Sequence, residues 1–466
     1  MKKYFIIVCF LQIFLNSCSN TQESNKIQLL QELIPYRKGN KWGFCDKDRK
    51  IIIPCKYDRV GTFFNGVAKI RLNGREGLIN MEGKEITEIK YQAVWPSNEE
   101  FILVQNNYAR GFIDKSGQEI VPLKYDFLSI CANDFITVER KGKYGLVDKK
   151  GLELTPLKYE DIGICSYGLV SAKFEGKYGV LNNLGQEILP FIYNSVFIFN
   201  RNLIGLEFNG KWNLFDRNGK KISKRGYDGI SDSFSEGMNA ILLDSKWGFI
   251  DSIGREVILP RYEFVEPFSE GLASVAINGK WTIIDKMGKD VISKKYDAIG
   301  SFVGNITNFQ INDSQGFIDK KGKELFTHNY NRVILTTKDL IKVENNGRWG
   351  LINGKGKEIT PAKYDEIYDN FEYSLAVVKI GNKYGCLNQK GEEVVPVKYD
   401  KLDYFFKDGF IKVELKGKWG YLDQFGKEIS KIKYTTVWYF DRGLAMVLLE
   451  DKYGYIDIKG TEYWED

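Results

Sequence analysis

From Leu33 onward the chain alternates short apolar runs with glycine-bearing turns, at a fixed interval. The stretch from Gly271 to Phe302 is representative. "GLASVAI" carries the β-branched and small residues of a strand, and Asn278-Gly279 behind it is the strongest short hairpin signal, because both residues tolerate positive φ. "KWTIID" predicts the returning strand. Asp285 followed by Gly288 marks a second turn, in which the carboxylate accepts a backbone N–H from two residues on and the glycine takes a left-handed position. "KDVIS" predicts a third, short strand, and "KYDAIGSF" an extended segment or a fourth. Few stretches place apolar residues at i, i+3, i+4 and i+7 over three turns, so helix is not expected.

The interval is the main signal. An aromatic-Gly pair, two apolar residues, Asp or Asn, and a Gly three residues on recur at Trp42-Gly43, Tyr144-Gly145, Tyr178-Gly179, Trp247-Gly248, Trp349-Gly350, Tyr384-Gly385, Trp419-Gly420 and Tyr453-Gly454. Degenerate copies centre on Gly77, Gly111, Asn213, Thr282 and Gly316, and the thirteen centres lie 34 or 35 residues apart. A second landmark keeps the same register. All twelve complete units carry a tyrosine at one phase, from Tyr57 to Tyr434, and seven have a proline shortly before it.

A unit of this size cannot bury both its faces alone, so neighbours must share a core. Each large aromatic can bury about 150–250 Å². The motif Trp or Tyr and the phased Tyr therefore predict an aromatic ladder, the tyrosine hydroxyl finding a partner such as a backbone carbonyl of the next unit. On that reading Trp247→Ala costs about 3–5 kcal/mol. The expected fold is all-β, with tandem hairpin-rich units stacked into an open or superhelical array. The alternative is one or two closed propeller-like rings. Thirteen units exceed the usual four to eight blades. No indel longer than one residue separates any two centres, whereas two packed rings would show a linker. The last unit is partial, which suits ring closure by complementation or a terminal cap.

The motif and its repetition resemble the WG-repeat (KWG) family of bacterial proteins, over about residues 33–466. The resemblance implies little about activity, because members share no assigned chemistry.

The first residues follow another pattern. Lys2 and Lys3 precede the run Tyr4 to Leu15, broken only by Gln12 and too short to span a bilayer, which needs about 20 apolar residues. This predicts a secretory signal peptide over 1–17. Leu15-Asn16-Ser17-Cys18 resembles the lipobox of bacterial lipoproteins, which implies a lipid on Cys18 and cleavage just before it. Residues 18–32 read as a polar tether. Ser19 in place of an Asp retention signal implies, by resemblance to diderm lipoproteins, the outer membrane.

Composition narrows the chemistry. With 67 basic and 61 acidic residues the formal charge is +6, a near-balance that gives little reason to expect nucleic acid. A single histidine excludes His clusters. The Asp or Asn after each motif invites calcium, but that ion takes six to eight oxygens, usually from several carboxylates, and the repeat itself supplies one such position per loop, so turn formation is the reading. Lysine often precedes the phased tyrosine and an acid often follows, predicting a mixed ribbon that is either a solvated face or a docking surface. Cys131 and Cys165 stand at equal phase and can bridge across a unit boundary, while Cys45 and Cys55 can pair within the first unit; buried small residues are the plainer reading of both pairs. His328 stands in a turn region of the ninth unit without a reactive neighbour, and Trp95 is an off-phase aromatic in the divergent stretch 91–111. No nucleophile elbow, P-loop, dinucleotide fingerprint or zinc-protease motif occurs. The expectation is a membrane-anchored envelope lipoprotein, not an enzyme, with no cofactor or metal, binding an envelope protein or glycan. The alternative is a carbohydrate-binding or glycan-hydrolysing envelope protein with a groove across several units.

Overall fold

A computed structural model describes residues 33–96, 100–131, 135–337, 340–368, 371, 374–403 and 409–465. The expected signal peptide, Cys18 and tether lie outside the described residues.

The described residues form β-strands in thirteen small sheets of three or four strands, one per unit. The seventh sheet shows the plan: a leading strand Gly229–Ile230, hairpin strands Met238–Leu243 and Lys246–Asp251, and a trailing strand Glu256–Tyr262, all antiparallel. The hairpin is closed by two residues at positive φ, as at Asn278 (51°) and Gly279 (71°) in the next unit.

The motif glycine has a specific cause. Trp247 pairs with Tyr262 but Phe249 pairs with Ile258, so the trailing strand bulges between them. The bulged backbone lies against Gly248, where a Cβ would come within 2.4 Å of the Ile258 carbonyl oxygen and 2.6 Å of Pro260 N. Proline suits the bulge because no N–H is needed there.

A second pattern alternates over the first seven units. Ten residues after the motif glycine stand Ile53, Val121, Leu189 and Ile258 in the first, third, fifth and seventh units, and Thr87, Thr155 and Ser223 in those between. The hydroxyls accept the backbone N–H of Leu78 (3.1 Å), Leu146 (2.9 Å) and Leu214 (3.0 Å). That takes a hairpin-strand amide from the ladder. In those units the trailing segment touches its neighbour only through isolated bridges, and the sheet has three strands.

The core is divided into thirteen apolar clusters, each joining two consecutive sheets. The last joins the thirteenth sheet to the first, packing Leu444 and Tyr463 against Ile34, Tyr36 and Cys45. Trp464–Glu465 pairs in parallel with Ile34–Lys38, filling the place of the leading strand in the first sheet. Arg37 Nε donates to the Tyr453 carbonyl (2.8 Å), and Trp42 meets Tyr455 edge-on at 5.9 Å.

The array is therefore a single closed ring of thirteen sheets, the propeller-like alternative rather than the open array. Unbroken spacing argues against two packed rings, as the sequence indicated, but it is equally the property of one ring in which each unit turns by the same small angle. The partial last unit closes the ring by complementation.

The phased tyrosines are the buried half of the ladder, Tyr57, Tyr227, Tyr296 and Tyr364 being fully enclosed. Several motif aromatics are shallower, Trp247, Trp281 and Trp419 being half-buried, whereas Trp42 and Trp349 are buried.

Candidate functional site: the seams between sheets

Many of the seams are clamped by ionic groups that the repeat supplies. The Tyr227 hydroxyl donates to Glu256 Oε1 at the start of the next trailing strand (2.7 Å), and Arg225 grips both oxygens of that carboxylate (3.0 and 2.8 Å). The same contact recurs from Tyr57 to Glu85, Tyr364 to Glu393 and Tyr434 to Glu462, with Lys56, Lys363 and Lys433 in the place of Arg225. Lys56 and Lys363 also lie over the tyrosine rings, 5.0 Å from each centroid. The expected carbonyl partner is thus a carboxylate, on the strand begun after the next motif. Burial opposes ionisation of Glu256, but the bonds from Arg225 and Tyr227 outweigh it and hold the carboxyl below its ordinary value.

The acid after the tyrosine is equally committed. Asp297 accepts from Lys280 Nζ (2.5 Å) on one oxygen and from the Asn312 N–H (2.7 Å) on the other, tying one motif to the following hairpin turn. Asp58 does the same with Lys41 (2.6 Å) and Asn73 (2.7 Å). The Lys280 hydrogen bond holds the Asp297 carboxyl below its ordinary value. Much of the mixed ribbon is therefore neutralised within the ring.

The Asp or Asn after each motif builds a turn in all thirteen units, its side-chain oxygen accepting the N–H four residues on at 2.8–3.0 Å.

Recesses interrupt the seams. One of about 480 Å³ lies between the eleventh and twelfth sheets, lined by Lys379, Tyr384, Asp400, Lys401, Asp403 and Trp419 among others. Its carboxylates are occupied. Asp400 accepts from Lys383 and from the Lys416 N–H (2.6 Å); Asp403 accepts from Lys412 (2.8 Å) and the Tyr439 hydroxyl (2.6 Å). Burial and the bond to Asp403 push the Tyr439 phenol up to about 12. Lys401 lies over Trp419, 5.8 Å from the ring centroid. The second recess, about 330 Å³, sits at the ring closure between Arg59, Arg71 and Glu76 of the second sheet and Met446 and Tyr455 of the thirteenth. Tyr384 and Trp419 are motif residues, but nothing in their local pattern separates this seam from the others.

Cys131 and Cys165 form a disulfide with Cα atoms 5.6 Å apart. Cys45 and Cys386 are buried thiols, Cys55 is half-buried, and none of the three is bridged. Trp95 lies exposed on the leading strand Ala93–Pro96 of the third sheet.

His328 is not in a turn. It pairs opposite Gln315 on the trailing strand Glu324–His328, where other units place the tyrosine. "ELFTHNY" has no proline, the strand keeps its register through this point, and the seat falls two residues early. The imidazole lies between Phe317 and Tyr330, each 5.7 Å away, with both nitrogens buried and unbonded. Burial lowers its pKa below the ordinary 6.5. The unfolded chain then takes up the proton first, so stability falls as pH drops below about 6.5. In urea melts the wild type should lose midpoint between pH 7 and pH 5, and His328→Phe should lose less.

The family model described as WG containing repeat matches twelve consecutive segments: 42–75, 77–108, 111–144, 144–178, 178–212, 214–247, 247–281, 281–313, 316–349, 349–384, 384–419 and 419–453. No curated protein matches the sequence. Among solved structures, a eukaryotic initiation factor is 13% identical, with 79% of this chain and 95% of that one covered and a TM-score of 0.34. The extracellular domain of a putative one-component system from B. thetaiotaomicron is 10% identical, over 96% and 78% of the two chains, with a TM-score of 0.21. PorZ, a surface component of the type-IX secretion system of Porphyromonas gingivalis, is 10% identical over 84% and 70%, also at 0.21. These scores lie below those of a shared fold.

Proposed function

From a chain that belongs to the WG-repeat family, we infer a non-enzymatic binding or scaffold ring of the cell envelope, held at the outer membrane by a lipid on Cys18 and engaging an envelope protein or glycan. The observation that carries this is the fate of the charged groups. The repeated lysines, tyrosines and acids are spent on clamping one sheet to the next, which suits a rigid platform better than a reaction centre. The Cys131–Cys165 disulfide supports a compartment outside the reducing cytosol.

The recess beside Trp419 favours a second reading, glycan binding, because a half-buried indole and a phenol line one hollow. Hydrolysis is less well supported, since it needs one protonated and one free carboxyl group, whereas Asp400 and Asp403 both accept hydrogen bonds from cations.

Two experiments test the reading. Labelled palmitate should enter the wild-type chain in a bacterial host and be absent from Cys18→Ser; equal labelling rejects the anchor. Envelope glycans incubated with the ring should be retained but uncut, with retention lowered in Trp419→Ala. Cleavage that disappears in Asp400→Asn would reject the non-enzymatic reading.

A further inference from the structure

Each unit carries its two turns at opposite ends of the central hairpin strand. In a closed ring the turns therefore form two circular rows on opposite faces. The hairpin row is mostly polar, built from pairs such as Asn73-Gly74, Lys141-Gly142 and Glu175-Gly176, with Tyr108 an aromatic exception.

The Asx-turn row is different. Its tip is the second residue after the anchoring Asp or Asn. From the fourth sheet onward that tip is lysine five times, apolar four times, asparagine once and never acidic. The apolar tips are Leu184, Ile253, Met287 and Phe425, which are 60, 50, 80 and 74% exposed. Their backbone N–H groups are fixed on the anchoring side chains at 2.9–3.1 Å. Three adjacent lysine tips, Lys321, Lys355 and Lys390, have no ion-pair partner among the described residues. The turns are also held level. A Cβ on Gly254 would come within 2.9 Å of Ile222, and one on Gly322 within 2.4 Å of Ile292, so each turn rests on the preceding trailing segment.

The geometry points to this row as a docking surface for an anionic lipid bilayer. The lysine and apolar tips of the fourth to thirteenth units lie on one face of the ring and form one continuous arc that can meet a surface together, while Asp48, Glu82 and Ser116 are the tips of the remaining arc. Lysines at the tips meet anionic headgroups, and the interspersed Leu, Ile, Met and Phe enter the headgroup–acyl boundary. A soluble polyanion has use for the lysines but none for four exposed apolar side chains. This contact belongs to the ring itself and goes beyond anchoring at Cys18. It turns the Asx face toward the membrane and the hairpin face away from it.

The test uses unlipidated protein from Ser19 to Asp466, since residues 33–465 close the ring. Sedimentation with vesicles of equal parts phosphatidylglycerol and phosphatidylcholine is compared with phosphatidylcholine alone. Anionic vesicles should bind at least about tenfold more tightly, and less so as salt rises. Met287→Ser/Phe425→Ser and Lys321→Glu/Lys355→Glu/Lys390→Glu should each weaken that binding about tenfold. Both variants should melt like the wild type, because the changed side chains are exposed. Failure to bind anionic vesicles, equal binding to neutral ones, or binding that survives both variants overturns the proposal. If inorganic polyphosphate competes fully and the apolar variant binds vesicles as well as the wild type, the row is a polyanion site and the lipid assignment is wrong.

Discussion

Tyr227→Ala is expected to destabilise the seam between the sixth and seventh sheets by about 3–5 kcal/mol, the range for emptying a buried aromatic site. The side chain is 1% exposed, packed with Leu203, Leu214, Ile241 and Ile250, and its hydroxyl is bound to Glu256. Tyr227→Phe keeps the packing and removes only the bond to the carboxylate, a loss of about 1.5–3 kcal/mol. Trp247→Ala should cost less than Tyr227→Ala, because the indole is half-buried. Urea unfolding with limited proteolysis checks the order; cleavage in Tyr227→Ala should begin near Lys221–Tyr227. The same clamp sets an acid limit. The Glu256 carboxyl is depressed in the folded state, so its contribution is present above its unfolded pKa of about 4.5 and is lost as pH falls through the lower folded value. That window lies below the one set by His328.

Removing Tyr463–Asp466 should open the ring. The deletion takes away the parallel pairing to Ile34–Lys38 and Tyr463, which is 1% exposed and bound to Asp457 at 3.0 Å. The loss of that aromatic alone is worth about 3–5 kcal/mol. The expected product keeps its other seams, because each cluster contacts only its neighbours, but it is more extended. Its radius of gyration should rise, and amide exchange should accelerate in Leu444–Leu449 and Ile34–Lys38 before the middle of the chain. Uniform exchange would mean that the last strand is not the closure.

Much of the unit was legible from residue types. Asn278-Gly279 announced the hairpin and Asp285 with Gly288 the second turn, because both depend on backbone preferences fixed locally. The equal phase of Cys131 and Cys165 already put their side chains in comparable places on adjacent sheets. Closure was not legible. It depends on a small rotation summed over thirteen units and on the meeting of Arg37 with Trp464, and neither leaves a local mark. The depth of Tyr against Trp was also hidden, since both are large aromatics at regular phase and only the bulge decides which faces the seam. Other features were available and pass easily unread. A glutamate 28 or 29 residues after the phased tyrosine marks the clamp. The alternation of Ile53, Thr87, Val121 and Thr155 marks four- and three-stranded sheets over the first units. The recess at Trp419 had no such signal, because its residues are ordinary members of the repeat.

The closed ring is tested most directly by zero-length carbodiimide cross-linking of the unmodified chain, followed by peptide mass spectrometry of the monomer. Lys38 Nζ and Glu465 Oε2 are 3.0 Å apart across the closure, and both are exposed. Lys363 and Glu393, also 3.0 Å apart, join two adjacent sheets in the middle of the array and serve as the internal reference. A closed ring predicts both cross-links within one molecule, at comparable yield and independent of protein concentration. The Lys363–Glu393 link without the Lys38–Glu465 link, or a terminal link found only between molecules, would contradict closure.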